Sequence, residues 1–337
     1  MHPLPPGKLP LGLLDDLLGK IQVNDPRILV GPGLGEDAAV IDFGDICLVA
    51  KTDPITFATD DIGYYAIHVS ANDIATMGAT PRWFLPAVLL PDGSTDAQTV
   101  QGIFASIQTA ADDAGIAICG GHTEITAGLD RPIIVGQMLG EVSKDDLIRS
   151  NGLREGDRIL MTKGLGVEGT ALIAGEMGDE LEARGLDLEL IDRAARYLRD
   201  PGISILTEAR AVCRVIKPHA MHDPTEGGVA TALRELAAAS NVGLAVYKDA
   251  LYLSPETEAI CTRMKVDPLG LISSGALLIG LAPADVDIAV QALKDAGVRC
   301  DVIARVESVG FGLRYGSGTD WQDLPTFERD EIARLLG

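Results

Sequence analysis

Positive charge is what this chain most lacks. Its 337 residues carry 28 Lys and Arg against 49 Asp and Glu, a net charge of −21. A nucleic-acid binder would show a basic footprint, and an anionic membrane surface would repel such a chain, so neither partner is expected. Aromatic residues are only 4%, too few for the stacking platforms that hold single-stranded nucleic acid. The cysteines are Cys47, Cys119, Cys213, Cys261 and Cys300. They are odd in number, far apart and without a C-x-x-C pair, which argues against a disulfide framework and a cysteine zinc site. Each sits in an apolar stretch and reads as a small hydrophobe. No apolar run reaches the ~18–20 residues that span a bilayer. The N-terminus, MHPLPPGKLPLGLLDDLLGK, lacks the basic-then-apolar order of a signal peptide. A cytoplasmic location is the expectation.

Apolar material, by contrast, is ample: 47% of residues are hydrophobic, which excludes disorder. At roughly 150 residues per domain the length suggests two domains. Strand-like and helix-like stretches follow one another throughout. Residues 37–43 and 46–50 read as strands, and 61–77 as a helix with Ile62, Tyr65, Ala66 and Val69 on one stripe. Residues 84–90 read as a strand that Pro86 places near an edge. The helix expected over 96–114 carries Val100, Ile103, Phe104, Ile107, Ala111 and Ala114 on one face and ends at Gly115. Strands 116–119 and 133–139 flank a glycine loop. The polar stretch 144–157 marks a boundary. Beyond it, strands are expected at 158–162, 244–247, 275–282 and 300–306, and helices at 167–177, 190–199, 203–214, 228–240, 256–264 and 284–296. This is an α+β pattern in two halves.

Three common phosphate motifs are absent. Between Gly12 and Gly19-Lys20 stand six residues, and Ile21 follows, where a P-loop requires four and then Ser or Thr. Gly31-Pro32-Gly33-Leu34-Gly35-Glu36 has Glu at the last glycine position of a dinucleotide fingerprint and precedes a strand. The kinase set is missing.

Four places carry polar residues that folding alone does not demand. Gly35-Glu36-Asp37 opens an apolar strand. Thr52-Asp53-Pro54 ends the next one, unless it is simply a turn. On the helix 61–77, the stripe 62, 65, 66, 69, 73 and 76 puts Asp73 on the apolar face, beside Asn72. Burying an unpaired carboxylate costs several kcal/mol, so a divalent cation, or an internal arginine such as Arg82, is expected to compensate it. Cys119-Gly120-Gly121-His122-Thr123-Glu124 offers paired glycines, a hydroxyl and two potential ligands. Carboxylates from separate elements suit a hard cation such as Mg²⁺, which brings substrate phosphates with it, rather than zinc. In the second half, His222-Asp223-Pro224-Thr225-Glu226-Gly227-Gly228 precedes a helix. There Asp223 or Thr225 reads as an N-cap and the glycines as an anion site. Lys163-Gly164-Leu165-Gly166 is a weaker example.

Together these residues resemble the PurM-like ATP-binding superfamily, which includes aminoimidazole ribonucleotide synthetase, selenophosphate synthetase, thiamine monophosphate kinase and the hydrogenase maturation factor HypE. The likeness runs from Gly7-Lys8-Leu9 to about residue 315. GEDAAVI (35–41) is similar to the family's G-D-D-A-A-V, and TDPI (52–55) to its T-D strand end. SANDIATMGATP (70–81) is similar to N-D-[LIV]-A-x-x-G-A-x-P, the most specific piece. GGHTE (120–124) resembles its glycine-rich loop, and DPTEGGV (223–229) the D-x-T-R-G-G element of the HypE branch.

The resemblance implies a two-domain PurM-like α+β fold, with an ATP- and Mg²⁺-binding domain over residues 1–150 and a second α+β domain over 151–337. It implies a homodimer in which the N-terminal sheets close a barrel. It implies an ATP-dependent enzyme that phosphorylates or activates an unidentified small-molecule acceptor. Asp37, Asp53, Asp73 and Glu124 would hold Mg²⁺. Lys8, Asn72, Gly120, Gly121, Thr123, Gly227 and Gly228 would bind the nucleotide. Asp223, Thr225 and His122 would serve the chemistry. Departures bear on the subfamily: the sequence ends ARLLG without HypE's Pro-Arg-Ile-Cys, His122 stands where thiamine monophosphate kinase has Asp, and Glu226 replaces an arginine. A binding-only maturation scaffold, a thiamine monophosphate kinase-like kinase and a metal-buffering protein are the alternatives.

Overall fold

The computed structural model describes residues 4, 9, 11–33, 35–56, 58 and 60–336. The chain forms two compact units. The larger comprises Met1–Asn24, Pro32–Glu36 and Ile148–Gly337, the smaller Asp25–Gly31 and Asp37–Leu147. A first helix, α1 (Leu11–Leu18), belongs to the larger unit.

The smaller unit is built on one sheet. Its strands are β1 (Ile28–Val30), β2 (Ala39–Asp42), β3 (Ile46–Ile55), β4 (Thr80–Pro91), β5 (Ala117–Ile118), β6 (His122–Thr126) and β7 (Ile133–Ser143). The order is β1-β2-β3-β7-β4-β5, with β6 also on β4. Helix α2 (Ile62–Thr76) packs on β3, β7 and β4, and α3 (Ala97–Ala114) packs on α2. The approach of α2 is close because β7 offers glycines: a Cβ on Gly136 would lie 2.5 Å from Ser70 Oγ, and one on Gly140 2.3 Å from Ile74 Cγ2. Helix α3 starts at Asp96, whose side chain accepts from Thr99 N at 2.8 Å. It ends at Gly115 in the left-handed region.

Several local expectations are corrected here. Helix α2 shows no polar face; all fifteen of its residues are buried. Thr52-Asp53-Pro54 neither turns nor ends a strand: β3 runs on to Ile55, with Asp53 opposite Gly136 of β7. Pro54 is tolerated because β2 stops pairing at Ala50, so that side of β3 needs no donor. Strand β4 is not an edge, since β7 flanks one side and β5 and β6 the other. Pro86 falls in the gap between its pairings with β5 and β6, where a missing N–H loses nothing. Phe104 is exposed rather than part of the buried face of α3. Cys119 and Cys213 are also exposed, so they are not core hydrophobes; all five cysteines are free thiols.

The larger unit carries a second sheet. Its strands are β8 (Arg158–Thr162), β9 (Ala220–His222), β10 (Gly243–Tyr247), β11 (Leu278–Leu281), β12 (Cys300–Glu307), β13 (Leu313–Ser317) and β14 (Asp320–Asp323). The order is β14-β13-β10-β12-β8-β11-β9. The helices are α4 (Val167–Glu176), α5 (Gly178–Ala183), α6 (Leu188–Ala195), α7 (Leu206–Cys213), α8 (Gly228–Ser240), α9 (Pro255–Met264), α10 (Val286–Asp295) and α11 (Glu331–Leu336). The apolar side of α8 (Val229, Leu233, Leu236) forms the core with Ile159, Met161, Leu244, Val246 and Leu278 of the strands. Between named strands, parallel pairing occurs only for β4 with β5 and β6 and for β10 with β13. The fold is therefore α+β with mixed sheets. No helix among the described residues is long and apolar enough to cross a membrane.

Candidate functional site

A strand exposes alternate residues to one face. On β3 the buried row toward α2 is Cys47, Val49 and Ile55, and Lys51 and Asp53 fall in the same row. Across from them, α2 presents Asp73, 3% exposed, with Asn72 fully buried beside it. Lys51 Nζ lies 3.1 Å from Asp73 Oδ1. Burial by itself would push the Lys51 ammonium down, but Asp73, Asp53 and Asp37 together hold it above its ordinary range. Asp73 thus contacts Lys51, and the charges of Asp53 and Asp37 act on the same lysine.

Sequence reasoning missed that lysine. Arg82, the arginine it suggested, instead pairs with Glu141 at 2.8 Å on a half-exposed surface. The signal was present in Ile-Cys-Leu-Val-Ala-Lys-Thr-Asp-Pro-Ile: read with period two, Lys51 shares the row of Cys47, Val49 and Asp53. The donor chemistry suits a hard divalent cation.

The glycine loop lies elsewhere in the sheet. Strands β7 and β4 stand between β3 and β6, which at strand spacing is about 14 Å. All of residues 120–125 are exposed. His122 Nε2 sits 3.2 Å from Glu124 Oε2, and Thr126 Oγ1 donates to Glu124 Oε1 at 2.9 Å. The hydrogen bonds from His122 and Thr126 lower the Glu124 carboxyl below its usual range. Glu124 and His122 therefore do not join the three aspartates within one chain. Gly120, Gly121, His122 and Thr123 line a cavity of about 260 Å³ with Pro86, Phe104, Ile107 and Ile118. Gly121 must be glycine, because a Cβ would come within 2.4 Å of Pro86 O. Lys8 lies outside the described residues.

In the larger unit, Asp223 is buried at the end of β9, and His222 Nε2 lies 3.0 Å from Glu235 Oε2. The turn that follows departs from expectation. Neither Asp223 nor Thr225 caps α8; the cap position is Gly227, at φ 82°, and no side chain of its own caps the helix. The Gly227 N–H donates instead to Asp330 Oδ2 at 2.6 Å. Gly228 N donates to Thr225 O at 3.0 Å, and Ala230 N to Leu269 O at 3.0 Å. These N–H groups are engaged within the protein, so Gly227 and Gly228 do not form an open anion site. Their role is close packing: a Cβ on Gly228 would meet Leu269 O at 2.5 Å and Leu271 O at 2.7 Å. The Lys163–Gly166 turn is likewise satisfied internally. Lys163 pairs with buried Glu208 at 2.7 Å, and Gly166 N donates to Ser273 Oγ at 2.7 Å.

Residues 35–142 match the N-terminal domain of AIR synthase-related proteins, and residues 154–315 match their C-terminal domain. A Methanocaldococcus jannaschii protein named for hydrogenase expression and formation is 29% identical over 296 residues, covering 86% of this chain and 84% of that one. The carbamoyl dehydratase HypE of Cupriavidus necator is 30% identical over 246 residues, covering 72% of this chain and 66% of that one. A crystal structure of the hydrogenase maturation protein HypE in complex with ATP superposes with a TM-score of 0.68 at 23% identity, covering 96% of this chain and 94% of that one.

Proposed function

Since this chain belongs to the AIR synthase-related family within the PurM-like superfamily, we propose that it is an ATP- and Mg²⁺-dependent enzyme that phosphorylates or activates a small-molecule acceptor. The observation that carries this reading is the buried Lys51–Asp73 contact, with the charges of Asp53 and Asp37 acting on the same lysine, in the smaller unit. A protein of net charge −21 can take up a polyanion only where cations mediate locally. Asp37, Asp53 and Asp73 are assigned to Mg²⁺, which when bound would neutralise the developing charge on the transferring phosphoryl. Lys51 offsets the mutual repulsion of the carboxylates. Asp223 and Thr225 of the larger unit are assigned to the acceptor. A relative of 30% identity is named a carbamoyl dehydratase and a chain of this fold holds ATP; both support ATP-dependent activation of a small molecule.

Homodimerisation is part of the proposal. Edge strand β6 pairs with β4 alone among the named strands. Around it Ile125, Ile118, Phe104 and Trp83 are exposed, a concentration of apolar surface that suits a second copy. The exposed His122 and Glu124 would find their role there. Isothermal titration of the wild type and Asp73→Ala with MgATP, with and without EDTA, tests the assignment. The wild type should bind only with Mg²⁺ present and Asp73→Ala should not bind. Equal binding by both proteins would sink it. ADP release on adding candidate acceptors separates an enzyme from a binding-only scaffold, and a monomeric mass at micromolar concentration would remove the dimer.

A further inference from the structure

The turn carrying Asp223 and Thr225 is closed from far along the chain. Asp330 is 3% exposed. Its Oδ2 accepts from Gly227 N at 2.6 Å and its Oδ1 from Ile332 N at 2.7 Å. The Ile272 N–H also donates to it. Position 330 lies beyond residue 315, where the match to the family's C-terminal domain ends.

The segment around Asp330 is firmly packed. A Cβ on Gly270 would lie 2.4 Å from the Phe327 ring, and Glu331 N donates to Gly270 O at 3.1 Å. Ile332 and Ala333 are buried. Gly270 lies between Leu269 and Leu271, whose carbonyls close over Gly228. Turn 225–228, loop 269–272 and segment 327–333 therefore interlock. A displaceable plug would not bury its own apolar side chains this way, so the contact is a fixed support.

Its chemistry is that of a helix cap supplied at a distance. Helix N-termini favour Asp, Ser or Thr at the cap, and negative charge nearby. Here the cap is glycine and the carboxylate comes from Asp330. The two residues of the turn that would ordinarily cap α8, Asp223 and Thr225, do not serve as its cap.

We propose that Asp330 is a positioning residue: by holding the Gly227 N–H it fixes the turn that aims Asp223 and Thr225 at the acceptor. The role in catalysis rests on the ATP-dependent reading above. The hold on the turn stands on the geometry alone.

Burial pushes the Asp330 carboxyl up to about 7, against the three backbone hydrogen bonds and with Glu226 of the turn adding to the rise. Nearby charges are otherwise engaged. Glu331 pairs with Arg334 at 2.7 Å, and Asp267 accepts from Leu269 N at 2.9 Å. The closed turn binds the proton more tightly than an opened one, whose carboxyl returns to its ordinary range, so the turn is held more firmly as pH falls through 7.

The test compares the wild type, Asp330→Asn, Glu331→Gln and Asp73→Ala. Asp330→Asn should speed amide exchange over 225–230 while β8 stays protected. It should lower ATP turnover about tenfold and leave MgATP affinity unchanged. Glu331→Gln, which disturbs α11 but not Gly227, should do neither. In the wild type, the combined protection of the Gly227 and Ile332 amides, corrected for intrinsic exchange, should rise from pH 8 to pH 6. That measurement needs no variant to fold. Unchanged turn exchange in Asp330→Asn, or pH-independent protection in the wild type, overturns the proposal. If Asp73→Ala binds MgATP as the wild type does, the functional reading falls, and the exchange data still decide whether Asp330 holds the turn.

Discussion

Asp73 and Asp330 are equally buried, each 3% exposed, and the protein keeps them in opposite ways. Asp73 faces an ammonium, with two more carboxylates acting on the same lysine. Among the described residues Asp330 is held by backbone N–H groups, and burial raises its carboxyl to about 7. The first arrangement sets hard oxygen donors of like charge near one lysine, chemistry that suits a divalent cation. The second has its oxygens engaged by the backbone, so it supports structure. Burial of an acid does not by itself mark a reactive centre. The kind of compensation it receives does.

The comparison predicts the largest effect at Lys51. Replacing it with methionine leaves three aspartates without their cation, and breaking such a pair costs about 3–5 kcal/mol when buried. Lys51→Met should unfold at lower urea, and added MgCl₂ should restore much of the loss. A variant as stable as the wild type without Mg²⁺ would break the contrast, because Asp73 would not need ionic compensation. Gly140→Ala should come next. Its Cβ would sit 2.3 Å from Ile74 Cγ2 and 2.7 Å from Thr80 O, and overpacking of this kind costs about 2–3 kcal/mol. Because Ile74 adjoins Asp73 on α2, MgATP affinity should fall with stability, as titration and unfolding would together show.

Asp330 should give a smaller effect whose direction depends on pH. Its carboxyl rises from 3.8 to about 7 on folding, so the folded protein binds the proton more tightly than the unfolded chain. Stability from this group is full below about pH 4 and is lost as pH rises toward 7. Asp330→Asn should lack this slope in urea unfolding between pH 4 and 7. A parallel pH profile for both proteins would show that Asp330 does not titrate in that window.

Much of this was legible in the sequence, for definable reasons. The apolar run RILMT and the alanine-rich stretch 228–240 placed β8 and α8 at their observed bounds. The unusual position of Asp73 was legible because a carboxylate stood in an apolar stripe. Lys51 was not, since a lysine at the end of ICLVAK looks like a strand end, and Pro54 disguised the strand's continuation. The distance from Glu124 to the three aspartates depends on strand order, which no local pattern encodes. Asp330 was invisible because its partner, Gly227, is about a hundred residues away. Long-range closure of a glycine turn leaves no periodic trace.

The smallest effect should come from the arginine that sequence reasoning offered as the alternative to a cation. Arg82 Nε lies 2.8 Å from Glu141 Oε1, but the two side chains are 48% and 32% exposed. Water screens such a pair, and pairs of this kind contribute about 0–1 kcal/mol. Arg82→Ala should therefore shift the urea midpoint little and leave MgATP affinity at the wild-type value. Lys51→Met should move both. If Arg82→Ala weakened MgATP binding tenfold, Arg82 would reach the nucleotide in a way its pairing with Glu141 does not suggest. The cation that completes the aspartate cluster would then have to be reassigned.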